Sequence, residues 1–271
     1  MLEPFSPKPL FDSKKQPLKI AVLFSGNAGS AQFLLQQSKE NPSLEKKVLI
    51  VGAICDKAGA KGIRFFESHK VRVSVIDWNE FALQFASKKK ETMRALFFEK
   101  VLHELRKIKP DLLMLSGFMR IIPENLLCEF KNRILNVHPS NLKILVNGRP
   151  AFAGKNAVFD TLFAGQTELR STIHFVTSKV DCGPVLVLSK PLKADIEKIT
   201  SLRDDKARLQ EYADFLQERL KREGDDPAFL KAIELIADGL VLVKNEKVFI
   251  KEKGKWKQGY FDLETNSVKK E

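Results

Sequence analysis

The sequence predicts an α/β fold: an open, mostly parallel twisted sheet with flanking helices, followed by a C-terminal helical and hairpin extension. Three observations carry this. Short, nearly continuous apolar runs such as Val48–Cys55 alternate with segments of three- and four-residue apolar spacing, the pattern of buried parallel strands and crossover helices. The first apolar run is closed by a turn of small residues, Ser25–Ser30. With 44% hydrophobic and 30% charged residues in a chain of 271, there is enough apolar material for one sizeable core.

Leu18–Phe24 reads as the first strand, Ser25–Ser30 as the turn, and the stretch holding Phe33, Leu34 and Gln36 as a helix. Val48–Cys55 is the second strand and ends in Asp56–Gly59. A helix around Lys61–His69 and a third strand at Val71–Ile76 follow. Phe98, Val101, Leu102, Leu105 and Ile108 mark an amphipathic helix closed by Pro110. Asp111–Ser116 and Arg133–His138 read as two further strands. Ligand loops of such sheets leave the C-terminal strand ends where the strand order reverses. Ser25–Ser30, Asp56–Gly59, Gly117–Ile122 and Asn136–Ser140 are therefore expected to open onto one side.

Beyond Gly165 the pattern changes. Ser171–Thr177 and Val185–Lys190 read as strands joined through Ser178–Pro184, and Leu209, Tyr212, Phe215, Leu216 and Leu220 mark a helix. Phe229, Leu230, Ile233 and Ile236 mark another, and Leu240–Val243 with Val248–Lys251 a terminal hairpin. The expected division is a flexible tail over 1–17, a main domain over 18–251 whose C-terminal extension begins at about 192, and a polar tail over 252–271.

Three cysteines, Cys55, Cys128 and Cys182, without CxxC spacing, point to a reducing compartment rather than a disulfide framework or thiolate zinc site. No apolar stretch approaches the ~20 residues that span a bilayer, and Met1–Pro17 lacks the apolar centre of a signal peptide. Cytoplasm is the expected location. Lysine and arginine number 46 against 34 acidic residues, a surplus of +12, which attracts anionic partners. The lysines are scattered, with one run at Lys88–Lys90. A nucleic-acid face concentrates them, so the pattern argues for a solvated surface and against nucleic acid.

Chemistry is concentrated in a few places. Ser25–Ser30 presents backbone N–H groups at a helix start, an anion site, although tight turns also use glycine for steric reasons alone. It is neither a Walker A loop nor a dinucleotide fingerprint, since no Lys-Ser/Thr pair and no third glycine follow. In Leu135–Ser140, Asn136 and His138 lie two apart on a strand and share one face. An amide beside an imidazole suits acyl transfer, one steadying an oxyanion and the other moving protons; the same pair equally serves to cap a strand end before Pro139. Asp181, in the turn Lys179–Pro184, either orients an imidazole or forms an Asx-turn. His174, between Ile173 and Phe175 in a strand, reads as structural. The four histidines lack zinc-ligand spacing, so no metal is expected.

Asn136-Val-His-Pro-Ser140, with Ser116-Gly-Phe-Met-Arg-Ile-Ile122 before it and Ser171–Pro184 after it, resembles the formyltransferase family. The likeness is to the glycinamide ribonucleotide formyltransferases of purine synthesis and covers roughly 18–191. The resemblance implies a Rossmann-like formyltransferase fold and formyl transfer from 10-formyltetrahydrofolate, as cosubstrate, to the amine of glycinamide ribonucleotide. By matching position it implies a catalytic trio of Asn136, His138 and Asp181. It places Met119, Arg120, Ile121 and Ile122 on the folate, and Gly26, Asn27, Ala28, Gly29 and Ser30 on the substrate phosphate. Formylation of an amino sugar or aminoacyl-tRNA, and a non-catalytic basic nucleic-acid-binding protein on the same scaffold, are the alternatives.

The sequence departs from the family pattern in several places. Ala28 lengthens the glycine turn, and Ala31 stands where a polar phosphate contact is usual. The stretch after His138 lacks the usual Leu-Leu-Pro and Pro-Gly, and Arg170 replaces a glycine. The acidic residue expected at the acceptor amine is open among Glu211, Glu218, Asp225 and Asp226.

Overall fold

The computed structural model describes residues 8–85 and 88–270. In chain order its first half alternates strands and helices: β1 (Leu18–Phe24), α1 (Gly29–Glu40), α2 (Pro42–Lys47), β2 (Val48–Cys55), α3 (Lys61–Ser68) and β3 (Val73–Val75). These are followed by α4 (Trp78–Gln84), α5 (Lys90–Ile108), β4 (Leu112–Leu115), α6 (Glu124–Glu129) and β5 (Ile134–His138). Local chemistry sets several starts. Asn41 accepts from Ser43 and Leu44 and precedes Pro42 at the start of α2, and Asp77 accepts from Asn79 and Glu80 to cap α4.

The second half begins with two short strands, β6 (Leu145–Val146) and β7 (Arg149–Pro150), then α7 (Ala157–Phe163) and β8 (Glu168–Leu169). β9 (Thr172–Phe175), β10 (Val185–Leu188) and β11 (Leu192–Lys193) precede α8 (Ile196–Leu202) and α9 (Lys206–Leu220). A π-helical turn, Lys221–Asp225, leads into α10 (Asp226–Ala237). The chain closes with β12 (Val241–Lys244), β13 (Lys247–Glu252), β14 (Lys255–Gln258), β15 (Tyr260–Asp262) and β16 (Ser267–Lys269).

Among the described residues the main sheet has nine strands, in the order β16-β15-β10-β9-β5-β4-β1-β2-β3. β1 to β5 are mutually parallel, while β9 runs antiparallel to both β5 and β10. The order reverses at β1: β2 and β3 lie on one side of it, β4 and β5 on the other. That is the switch point at which the loops after β1 and β4 separate. β1 serves two cores through its period of two. Ile20, Val22 and Phe24 pack with α1, α3 and α10, while Ala21 and Leu23 pack with α5 and α6. No described helix is long and apolar enough to cross a membrane.

Both expected tails need correction. Residues 1–7 lie outside the described part, but Leu10 N–H donates to the Val241 carbonyl at 2.7 Å and Phe11 is buried. The hairpin at β12 and β13 is present, yet it gains a third strand, β14, and residues 252–270 are not a tail. β15 pairs parallel with β10 and antiparallel with β16, and Phe261 is buried in the core. Lys255-Trp-Lys-Gln258 alternates exposed lysines with half-buried Trp256 and Gln258, so a strand pattern lay beneath a polar average.

Arg170 fastens these C-terminal strands. Buried itself, it donates to Asp262 Oδ2 at 3.2 Å, to the Ser189 carbonyl at 3.3 Å and to Glu264. Asp262 is also buried and accepts from the Glu264 and Thr265 N–H groups through its other oxygen. Removing one partner leaves a buried charge unpaired, which costs about 3–5 kcal/mol. Arg170→Ala is expected to lower the denaturant midpoint accordingly and to expose the amides of β15 and β16 to hydrogen exchange first. Arg170→Ala/Asp262→Ala should cost less than the sum of the single changes; strict additivity would show that the pair does not hold the segment.

Candidate active site

The loops at the C-terminal ends of β1, β4 and β5 border a cavity of about 810 Å³, while Asp56–Gly59, the fourth loop expected with them, does not line it. Two hydrogen bonds tie its floor: Ser25 N–H donates to the Gly117 carbonyl, and Met119 N–H to Ser25 Oγ at 3.0 Å. Asn136, His138 and Asp181 all line the cavity, as do Met119 to Ile122 and Asn27 to Ser30. Gly26 does not; its carbonyl accepts from Gly62 N–H at the start of α3.

Asn136 and His138 project together from β5. His138 is buried, and its Nε2 lies 2.8 Å from the Phe152 carbonyl, which fixes Nε2 as a donor because the oxygen can only accept. Its Nδ1 is 3.5 Å from Asp181 Oδ2. Both ring nitrogens thus face acceptors. Asp181 has left-handed backbone, φ +52°, and also accepts from Gly154 N–H at 3.1 Å. The turn that carries it closes against β9 at Gly183, where a Cβ would fall 1.7 Å from the Phe175 carbonyl oxygen. Only glycine permits that approach.

His174 belongs to the site, although its alternation in a strand suggested a structural role. β9 sets it directly opposite Asn136. Its Nδ1 donates to the Phe175 carbonyl at 3.2 Å, and its Nε2 stands 3.3 Å from Asn136 Nδ2. Burial pushes its pKa down to about 4, against the raising influence of Asp181. The neutral ring therefore accepts from Asn136, fixes which end of the amide carries N–H, and leaves the second amide N–H for a ligand. The antiparallel β5–β9 pairing that creates this contact joins residues 38 apart in sequence, beyond the reach of any local pattern.

The four residues of the 119–122 loop divide their work. Met119 and Ile121 are 65% and 51% exposed and offer an apolar surface, while Ile122 is buried. Arg120 Nε donates to the buried Asp56 at 2.5 Å, and the guanidinium lies over the Trp78 ring at 4.7 Å, so its side chain braces the loop.

On the opposite wall, α1 begins with Gly29 and Ser30, whose N–H groups have no acceptor within the helix. Ala28 precedes them in left-handed conformation, φ 56°. The π-helical turn brings Asp225 to the same cavity, where it accepts from Ser171 Oγ. This packing needs Gly224, since a Cβ there would lie 2.6 Å from Ser171 Oγ. Burial pushes the Asp225 pKa up to about 7, and the charge of Asp226 acts in the same sense. Of the four acidic residues left open by the sequence, Glu218, Asp225 and Asp226 line the cavity and Glu211 lies elsewhere. Among the described residues no group of three potential ligands is placed to hold a metal ion.

A family model described as formyl transferase matches residues 18–215. The chain is 30% identical over 227 residues to the trifunctional purine biosynthetic protein adenosine-3 of Gallus gallus, covering 83% of this chain. It spans only 19% of that relative's length. It is 31% identical over 168 residues to a phosphoribosylglycinamide formyltransferase of Bacillus subtilis, covering 62% of this chain and 76% of that protein. The solved structure of glycinamide ribonucleotide transformylase 1 from Symbiobacterium toebii superposes with a TM-score of 0.62 at 27% identity, covering 86% and 93% of the two chains.

The two displaced titrations make opposite contributions to stability. His174 resists protonation in the fold, with a pKa of about 4 against an ordinary 6.5. Its contribution is complete above pH 6.5 and lost as pH falls towards 4. Asp225 resists ionisation, with about 7 against an ordinary 3.8, so its contribution is complete below 3.8 and lost as pH rises to 7. Asp225→Asn should gain melting temperature relative to the parent protein as pH rises from 4 to 7, by roughly 2–4 °C per pH unit. His174→Asn should gain in the reverse direction below 6.5. Melting curves of all three proteins at stepped pH check this; differences flat with pH would show that neither group is held in its unfavourable environment.

Proposed function

The chain belongs to the formyl transferase family, and from that premise we propose that it transfers a formyl group from 10-formyltetrahydrofolate to the amine of glycinamide ribonucleotide, in cytoplasmic purine biosynthesis. The observation that carries the proposal is the convergence of Asn136, His138 and Asp181 on one cavity at the switch point of the sheet. The cavity suits both substrates. The apolar Met119 and Ile121 offer surface to a flat folate, and the open first turn of α1 offers N–H donors to a phosphate. Lys61, Lys155 and Lys179 line the same cavity and favour anionic ligands.

In the proposed reaction the amine attacks the formyl carbon, and the carbonyl electron pair moves to the formyl oxygen. Asn136 donates its remaining N–H to that oxygen, and protonated His138 stabilises the charge building there. In the free protein the His138 Nε2–H donates to the Phe152 carbonyl; on substrate binding this N–H turns its hydrogen bond to the formyl oxygen, the proton staying on the ring. Asp181 stabilises the imidazolium and, through water, takes a proton from the attacking nitrogen. That proton passes to the folate nitrogen as its bond to the formyl carbon breaks, giving the formamide and tetrahydrofolate.

The alternatives draw less support. The antiparallel β12–β14 sheet has three strands, unlike the five-stranded barrel that carries nucleic-acid binding in OB folds.

Incubation with 10-formyltetrahydrofolate and glycinamide ribonucleotide is expected to release tetrahydrofolate. His138→Ala and Asn136→Ala should each lower kcat by about 100- to 1,000-fold while folate binding, followed by calorimetric titration, persists. Folate binding without release in the parent protein would remove the acceptor assignment, and near-normal turnover by His138→Ala would sink the mechanism.

A further inference from the structure

Asp56 is a buried carboxylate outside the cavity. Its N–H donates to the Phe24 carbonyl at 3.3 Å, and its own carbonyl accepts from Trp78 N–H at 2.9 Å. Main-chain bonds thus fix the residue between the end of β1 and the start of α4. Its side chain is 1% exposed. Oδ2 accepts from Arg120 Nε, and Oδ1 is buried with no donor among the described residues. A carboxylate oxygen left unpaired in the interior works against folding. Packing therefore gives no reason for an acid at this position; the guanidinium on its other oxygen does.

That guanidinium lies 4.7 Å from the centre of the Trp78 ring, within reach of a cation–π contact. Trp78 meets the buried Phe97 of α5 edge to face at 5.0 Å. Because Trp78 N–H also bonds to Asp56, carboxylate, guanidinium and indole form a closed circuit seated on α5. The circuit grips the 119–122 loop at its middle. The ends of the loop are held by Met119 N–H on Ser25 Oγ and by the burial of Ile122, while the exposed Met119 and Ile121 flank Arg120. The loop after β2 does not line the cavity, yet through Arg120 it fixes the loop after β4 that does.

We propose that Asp56 is a positioning residue for the folate: its carboxylate holds the 119–122 loop in the conformation that receives the cosubstrate, without touching the cosubstrate itself. The assignment rests on the reading of that loop as the folate wall. A loop released from Asp56 spends less time in the receiving conformation, and apparent affinity falls with the fraction lost. Once the folate is seated, Asn136, His138 and Asp181 work as before, so the cost falls on KM and spares kcat.

Steady-state transfer and calorimetric titration with 10-formyltetrahydrofolate test this on the parent protein, Asp56→Ala, Asp56→Asn, Arg120→Ala and the double variant Asp56→Ala/Arg120→Ala. Asp56→Ala is expected to raise the folate KM and dissociation constant about 10-fold, the effect of a receiving population cut to about a tenth. Its kcat and its KM for glycinamide ribonucleotide should not change. Asp56→Asn, which keeps an oxygen for Arg120 Nε, should recover most of the affinity. Arg120→Ala should also weaken folate binding, and the double variant should bind no more weakly than the worse single one. Unchanged folate affinity in a folded Asp56→Ala overturns the proposal, as does a fall in kcat at constant KM. Effects of the two single changes that multiply overturn it as well. If Asp56→Ala does not fold, Asp56→Leu, which also removes the unpaired oxygen, takes its place. A parent protein that does not bind 10-formyltetrahydrofolate overturns the proposal, since the loop then has no folate to receive. Folate binding without transfer to glycinamide ribonucleotide removes the acceptor reading alone, and the titrations then decide the role of Asp56.

Discussion

The antiparallel pairing of β5 with β9 is the contact on which most of the site depends. It ends the parallel run of the sheet and places His174 opposite Asn136. Because β9 runs back along β5, the turn after it arrives beside His138 and brings Asp181 within 3.5 Å of Nδ1. Arg170 and Ser171, immediately before β9 at its other end, hold the C-terminal strands and Asp225. A one-residue slip between β5 and β9 would turn His174 away from the cavity and exchange the two faces of the strand. Register here is specified by burial: Leu135, Ile173 and Phe175 belong to one core, and a slip would expose them.

The charges of the cavity are arranged in layers. At the centre lies His138, buried between a carbonyl and a carboxylate. Next to it is His174, which burial keeps neutral, so its ring can accept from Asn136. A protonated His174 would deprive Asn136 of that acceptor. The neutral ring thus has a use as a hydrogen-bond acceptor, and its identity matters because a carboxamide in its place would present both a donor and an acceptor to Asn136.

Much of this architecture could be read from the residues. The strands β1, β2, β4 and β5 follow from apolar runs bounded by turn residues, and the common side of their loops follows from parallel topology. Asn136, His138 and Asp181 carry enough pattern to be singled out. What escaped were the features made by long-range contact. His174 looks structural because alternation in a strand says nothing about what lies across the sheet. Asp225 could not be chosen among four acids because its placement depends on a π-helical turn and on the missing side chain of Gly224. The strands after Glu252 were hidden because their lysines face water, which lowers the mean hydropathy without altering the backbone pattern.

The C-terminal strands are tied to the sheet by one buried side chain, Arg170, whose guanidinium reaches Asp262 and Glu264. The arginine and the added strands therefore form one unit: without β15 and Glu264, the guanidinium would be buried without partners, and without Arg170, Asp262 would be. Across the cavity the 119–122 loop has a brace of its own, Arg120 on the buried Asp56. Two buried guanidinium–carboxylate pairs, Arg120 with Asp56 and Arg170 with Asp262, thus fix a cavity loop and the C-terminal strands independently of each other.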